Sequence, residues 1–146
     1  MGMELQEIAD RFEIAEVLYR YATALDTRDW ALLGSVFTGD GVYRMGVRGE
    51  FTGPEAIVEK LQEVLGKLDA TQHLISNATI VVDGDRARST CYVRAQHYRT
   101  GHETGGNTLD MGGTYVDELV RTGDGWRIKH RALEITWREG NGGIRD

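Results

Sequence analysis

The sequence predicts an α+β fold, a cone in which a curved antiparallel sheet wraps around N-terminal helices. Residues 5–66 carry helical apolar spacing, interrupted once by a short strand pair. Residues 71–137 then read as four long strands separated by turns and one loop rich in glycine. Helices followed by a run of antiparallel strands is the α+β pattern. Long strands twist, and a twisted sheet curls around what packs on one face, leaving a natural pocket under the first helix. At 146 residues the chain fits one domain, residues 1–146, and a chain of this size buries about 68–70% of its unfolded surface.

The elements follow in order. Residues 5–25 form one amphipathic helix, with Ile8, Phe12, Ala15, Leu18, Ala22 and Leu25 at three- and four-residue steps. Asp26-Thr27-Arg28-Asp29 is a polar break, and Asp29 is a candidate cap for the next helix. Residues 30–37 form that short helix, with Trp30, Leu33 and Phe37 on one face. Gly39-Asp40-Gly41 signals a turn before a hairpin of residues 41–45 and 48–52. Pro54 opens a third helix that ends near Leu65 and Gly66. Strands are expected at 71–82, 87–100, 111–121 and 126–137. Residues 139–146 are glycine-rich and are expected to form a flexible tail.

Composition excludes several function classes. The net charge is −6, which disfavours nucleic acid and anionic membrane as partners, since both require a basic face. The arginines are scattered rather than clustered, and no apolar run approaches the roughly 20 residues of a membrane span. The first ten residues are acidic and lack the apolar core of a signal peptide, so a cytoplasmic protein is expected. Cys91 is alone, which excludes an internal disulfide and a cysteine-rich metal site.

Chemistry must therefore come from other side chains. His73 and His97 lie on strands joined by a turn at residues 83–86. In an antiparallel pair, opposed residues share a face. A two-residue turn puts the two histidines on opposite faces; a three-residue loop, Gly84-Asp85-Arg86, sets them directly across from each other. A register displaced by two residues from that one sets them on a diagonal of one face. The shared face is expected to hold Ile75, Asn77, Thr79 and Val81 beside His73, and Cys91, Val93 and Ala95 beside His97. Tyr92, Arg94, Gln96 and Tyr98 occupy the other face, so the histidine face is the candidate concave side. His130 and Arg131 read as strand residues facing outward or into a subunit contact.

Asp26 closes the first helix and could sit at the pocket. A carboxylate beside an imidazole orients the ring and stabilises its charged form, making a general base. Tyr21 and Tyr43 are candidate hydrogen-bond donors to a substrate oxygen.

The segments "YRYATALDTRDW", "GVYRM", "TQHLISN", "RAQHYRT" and "GWRIKHRALEITW" together resemble the SnoaL-like, scytalone dehydratase-like branch of the nuclear transport factor 2-like superfamily. Bile acid 7α-dehydratase and hexachlorocyclohexane dehydrochlorinase share the pattern. The resemblance covers nearly the whole chain. It implies Asp26, His73 and His97 as catalytic residues and Tyr43 and Tyr21 as substrate-binding residues, with no metal and no cofactor. Where scytalone dehydratase has a second tyrosine before its aspartate, this chain has Leu25; Asn77 and Asn107 are the candidates for its asparagine. The implied activity is a cofactor-independent, dehydratase-type elimination on a small, mostly apolar cyclic or polycyclic ligand. A ketosteroid-isomerase-like isomerase, a polyketide cyclase and a non-catalytic ligand-binding protein are the alternatives. Relatives of this kind form homo-oligomers, dimers or trimers, and the large outward side chains on residues 92–98 fit such an assembly.

Overall fold

The computed structural model describes residues 2–102 and 104–146. The chain runs α1 (Leu5–Thr27), α2 (Trp30–Ser35), β1 (Phe37–Arg44), β2 (Glu50–Thr52), α3 (Pro54–Leu65), β3 (Ala70–Asp83), β4 (Arg86–Tyr98), β5 (Thr108–Thr122) and β6 (Gly125–Gly140). Short 3-10 turns occupy Gly46–Arg48 and Gly142–Arg145. The six strands form one sheet ordered β2-β1-β6-β5-β4-β3, antiparallel except where β1 runs parallel to β6. This is the α+β architecture read from the sequence, with the helices against the concave face of an unclosed sheet.

Helix α1 enters that concavity by a different stripe from the expected one. Ile14, Val17, Leu18, Tyr21, Ala24 and Leu25 are buried, whereas Ile8 and Phe12 are 49% and 69% exposed. Leu18, Ala22 and Leu25 of the expected stripe do face inward. The stripe is turned by Asp10, a buried carboxylate that takes two hydrogen bonds from Arg121, at 2.7 and 2.9 Å, and one from the Trp126 indole. A charge so paired can head a buried face. Each fully buried leucine or isoleucine on that face contributes about 1.5–3 kcal/mol.

Two further expectations are corrected. Phe37 starts β1 rather than ending α2, and the Gly39-Asp40-Gly41 signal falls inside β1, where the pairing with β6 shifts between Phe37 and Val42. The glycine-rich segment is absorbed as an irregularity in the strand instead of breaking it. Residues 139–146 are not a loose tail: β6 continues to Gly140, and Ile144 in the following turn is fully buried. One apolar anchor and the Arg99 guanidinium, which donates to the Ile144 carbonyl at 3.1 Å, hold the segment down.

The β3–β4 register decides which way His73 points. The turn is the two-residue one, Gly84-Asp85, with Asp83 opposite Arg86. That register would set His73 and His97 on opposite faces. The pairing then slips by one residue between Ser76 and Thr79, at Asn77, whose φ is +52°. Beyond this β-bulge His73 pairs with Ala95 and Thr71 with His97, so both histidines reach the concave face on a diagonal. The same slip corrects two positions: Thr79 and Val81 face outward, and Ile80 and Val82 take their place toward the core. On β4 the alternation is as expected, with Cys91, Val93, Ala95 and His97 inward and Tyr92, Arg94, Gln96 and Tyr98 exposed. No helix is long and apolar enough to cross a membrane among the described residues.

Candidate active site

Helix α1 ends in a Schellman motif. The Asp29 amide donates to the Ala24 carbonyl at 2.9 Å and the Arg28 amide to the Leu25 carbonyl at 3.3 Å. Arg28 takes the left-handed conformation, φ +58°, where glycine is usual. This closure fixes Asp26 in the last turn, beside β3. Its carboxylate accepts three hydrogen bonds: from the His73 ring Nδ1 at 2.7 Å, the His73 backbone amide at 2.9 Å and the Thr71 hydroxyl at 3.0 Å. Burial raises the Asp26 pKa, but the bonds from the His73 ring and backbone outweigh it and hold the carboxyl below its ordinary value. The ionised carboxylate fixes the tautomer, with the proton on Nδ1 and a lone pair on Nε2 of a ring that lines the pocket. The His73 side chain is 6% exposed and the Asp26 side chain 23%.

His97 stands nearby, its ring centroid 5.9 Å from that of His73. Its Nδ1 donates to the Leu109 carbonyl at 3.0 Å, which leaves Nε2 as an acceptor. Burial pulls its pKa down to about 4. His97 is therefore neutral near pH 7 and offers a lone pair rather than a proton.

The opposite wall is phenolic. The Tyr21 hydroxyl donates to the Tyr43 hydroxyl at 3.0 Å, and the Tyr115 ring packs edge-on to Tyr21 at 5.5 Å. All three are buried, and burial raises all three pKa values, so they remain protonated donors. Beneath them lies Arg131, 0% exposed, with its guanidinium 4.3 Å from the Tyr21 ring centroid and 3.9 Å from that of Tyr115. Asp117 holds it through two 2.8 Å bonds. Desolvation disfavours that cation, yet the charge of Asp117 keeps it firmly protonated.

His73, His97 and the three tyrosines line a cavity of about 380 Å³, whose remaining lining includes Leu25, Leu61, Val93 and Met111. The size and the apolar walls suit a small organic molecule. The structure brings Asp26, His73, His97, Tyr21 and Tyr43 together. Asn77 and Asn107 are both exposed and outside the cavity lining. Sequence reasoning missed Tyr115 and the Asp117–Arg131 pair, and Arg131 is corrected from an outward residue to a buried one. Strand alternation could have found them: Leu109, Met111, Tyr115, Asp117 and Leu119 all fall on the inward positions of β5. Among the described residues no three His, Cys, Asp or Glu side chains form a metal-holding group.

An open α+β cone of helices and one curved sheet around a cavity defines a nuclear transport factor 2-like fold. The family model for the SnoaL-like domain matches residues 6–132, and the chain belongs to that family. It is 36% identical over 140 residues to terrestric acid biosynthesis cluster protein E of Penicillium crustosum, covering 92% of this chain and 88% of the relative. A protein of Kribbella flavida superposes with a TM-score of 0.88 at 29% identity, over 95% of this chain and 98% of that one. A scytalone dehydratase-like protein of Novosphingobium aromaticivorans superposes at 0.83 with 23% identity, over 92% and 89%.

Proposed function

We propose that this protein is a cofactor-independent lyase that removes water or a similar small group from a small cyclic substrate. His73 is the base. Its Nε2 takes a proton from a carbon next to a carbonyl, and the C–H electron pair becomes an enolate delocalised onto the carbonyl oxygen. The Tyr43 hydroxyl, itself accepting from the Tyr21 hydroxyl, donates to that oxygen, with the Arg131 charge behind the pair. The enolate then re-forms the carbonyl, a C=C bond forms and the C–O bond to the leaving hydroxyl breaks. The imidazolium, stabilised by Asp26, returns the proton to the departing oxygen as water. His97 accepts a hydrogen bond from a substrate hydroxyl. The observation that carries this reading is the 2.7 Å contact between Asp26 and His73, whose ring lines the cavity.

Relatives support the reading at the level of a small-molecule enzyme. The Penicillium crustosum relative belongs by name to a biosynthetic cluster, and a scytalone dehydratase-like protein shares the fold. An isomerase would begin with the same proton transfer but return the proton to another carbon. The test is turnover by wild type and His73→Gln with a panel of cyclic β-hydroxy ketones, read by mass spectrometry. Loss of water in the wild type and none in the variant is expected. A product of unchanged mass points to isomerisation, and full turnover by H73Q removes His73 as the base. Self-association belongs to the same proposal: Leu74, Tyr92 and Trp137 are 56%, 56% and 42% exposed on the outer sheet face, and sedimentation is expected to give a dimer or trimer.

A further inference from the structure

The open end of the cavity is chemically unlike its interior. Three arginines line it: Arg48 on the 3-10 turn between β1 and β2, Arg138 near the end of β6, and Arg145 on the last 3-10 turn. They come from three separate segments, so their convergence is a product of the fold. None of them forms an ion pair among the described residues. By contrast, Arg121 is paired with Asp10 and Asp85, and Arg131 with Asp117.

Arg145 is the most constrained of the three. Its Nε is buried without a hydrogen-bond acceptor, and one Nη contacts only the Met111 sulfur at 3.7 Å. Burial, with the like charges of Arg48 and Arg138, pulls its pKa down to about 10, against a smaller opposing pull from Asp146. A partly desolvated guanidinium with donors unmet carries a standing free-energy cost. Glu134 also lines the cavity but lies outside ion-pair distance of all three. The segment is nevertheless held in place: Ile144 is fully buried, Asn141 accepts from the Gly143 amide and Arg99 donates to the Ile144 and Asp146 carbonyls. The fold fixes a cation at the cavity edge and leaves its donors for something else.

We infer that the ligand of this pocket carries an anionic oxygen group, a carboxylate or a phosphate, which Arg145 binds with the help of Arg48 and Arg138. The inference rests on the pocket being a small-molecule site, as proposed above, and adds the class of substrate. Met111, under Arg145, pairs with Ala95, and Ala95 pairs with His73. Two strand spacings therefore separate the anion site from the base, about 10 Å. The substrate is thus an anionic amphiphile: an apolar body with its reacting carbon at His73 and a charged group roughly 10 Å away. A planar guanidinium recognises either oxyanion by paired hydrogen bonds.

The test is binding by calorimetry of 4-phenylbutyrate, 4-phenylbutyl phosphate and the neutral 4-phenylbutanamide. Both anions should bind the wild type at least about tenfold more tightly than the amide, and the tighter of the two identifies the charged group. Arg145→Gln should erase that preference and leave the amide affinity unchanged. Exposed Arg138 supplies a second variant that does not disturb packing; Arg138→Gln should reduce the preference about threefold. Equal affinity of all three probes for the wild type, or a preference that survives in R145Q, overturns the inference. Binding and chemistry fail separately: H73Q should keep the anion preference, so a lost preference in the wild type condemns the arginine site alone, and retained turnover in H73Q condemns the base alone.

Discussion

The Asp26–His73 and Asp117–Arg131 pairs bond at similar distances, 2.7 and 2.8 Å, yet they differ in burial and in charge. Asp26–His73 joins a helix end to a strand, its carboxylate is 23% exposed, and its cation exists only when the ring is protonated. Asp117–Arg131 joins neighbouring strands, both side chains are 0% exposed, and its charge is permanent. The first can move a proton; the second can only impose a field. The comparison teaches that burial alone does not mark a pair suited to acid/base chemistry. What matters is whether the partner of the carboxylate titrates and opens onto the cavity.

The largest expected effect breaks the sealed pair. Asp117→Ala leaves Arg131 charged and uncompensated, and should cost about 3–5 kcal/mol in urea unfolding. His73→Gln keeps a hydrogen-bonding side chain beside Asp26 and should cost no more than about 1 kcal/mol. The two variants should therefore separate stability from chemistry. If D117A unfolds at the wild-type urea midpoint, the two pairs are not different in kind.

His97 sharpens the comparison as an imidazole with no carboxylate. Its folded pKa of about 4 lies below the ordinary histidine value of 6.5. Between those values the unfolded chain binds the proton and the folded chain resists it. The stabilising contribution is thus complete above pH 6.5 and is lost as pH falls toward 4, up to about 3 kcal/mol in all. His97→Gln should flatten that part of the stability profile, measured by thermal unfolding across the same pH range. An unchanged slope would mean that His97 titrates freely. Asp26 acts in a lower window, because its depressed pKa supports stability above the ordinary carboxylate value and loses it as pH falls below that value.

The contrast between the pairs also explains what the sequence revealed. Asp26 was legible because "LDTRDW" places a carboxylate where a helix must end. His97 was legible because strict alternation from Ala87 to His97 left no choice of face. Arg131 was not, since an arginine in a strand is ordinarily a surface residue and its partner Asp117 is fourteen positions away. The inward stripe of α1 was hidden because Ile8 and Phe12 are as apolar as the residues that are buried, and the deciding contact, Asp10 with Arg121, spans most of the chain. Local pattern locates elements; long-range pairing chooses which face of each is used.

The bulge at Asn77 gives the smallest expected effect and reaches only one of the two pairs. Its φ of +52° is a conformation that asparagine tolerates and most other side chains resist. Asn77→Ala should destabilise the chain by about 1 kcal/mol, and Asn77→Gly should be neutral or slightly stabilising. The informative readout is local. Without the bulge, the two-residue turn at Gly84-Asp85 dictates a register that carries His73 away from the pocket. Amide exchange in N77A should therefore quicken along β3 from Thr71 to Ser76, where the His73 amide bonds Asp26, and stay unchanged around Asp117 and Arg131. Equal loss of protection around both pairs would show that the bulge supports the whole sheet rather than aiming one side chain.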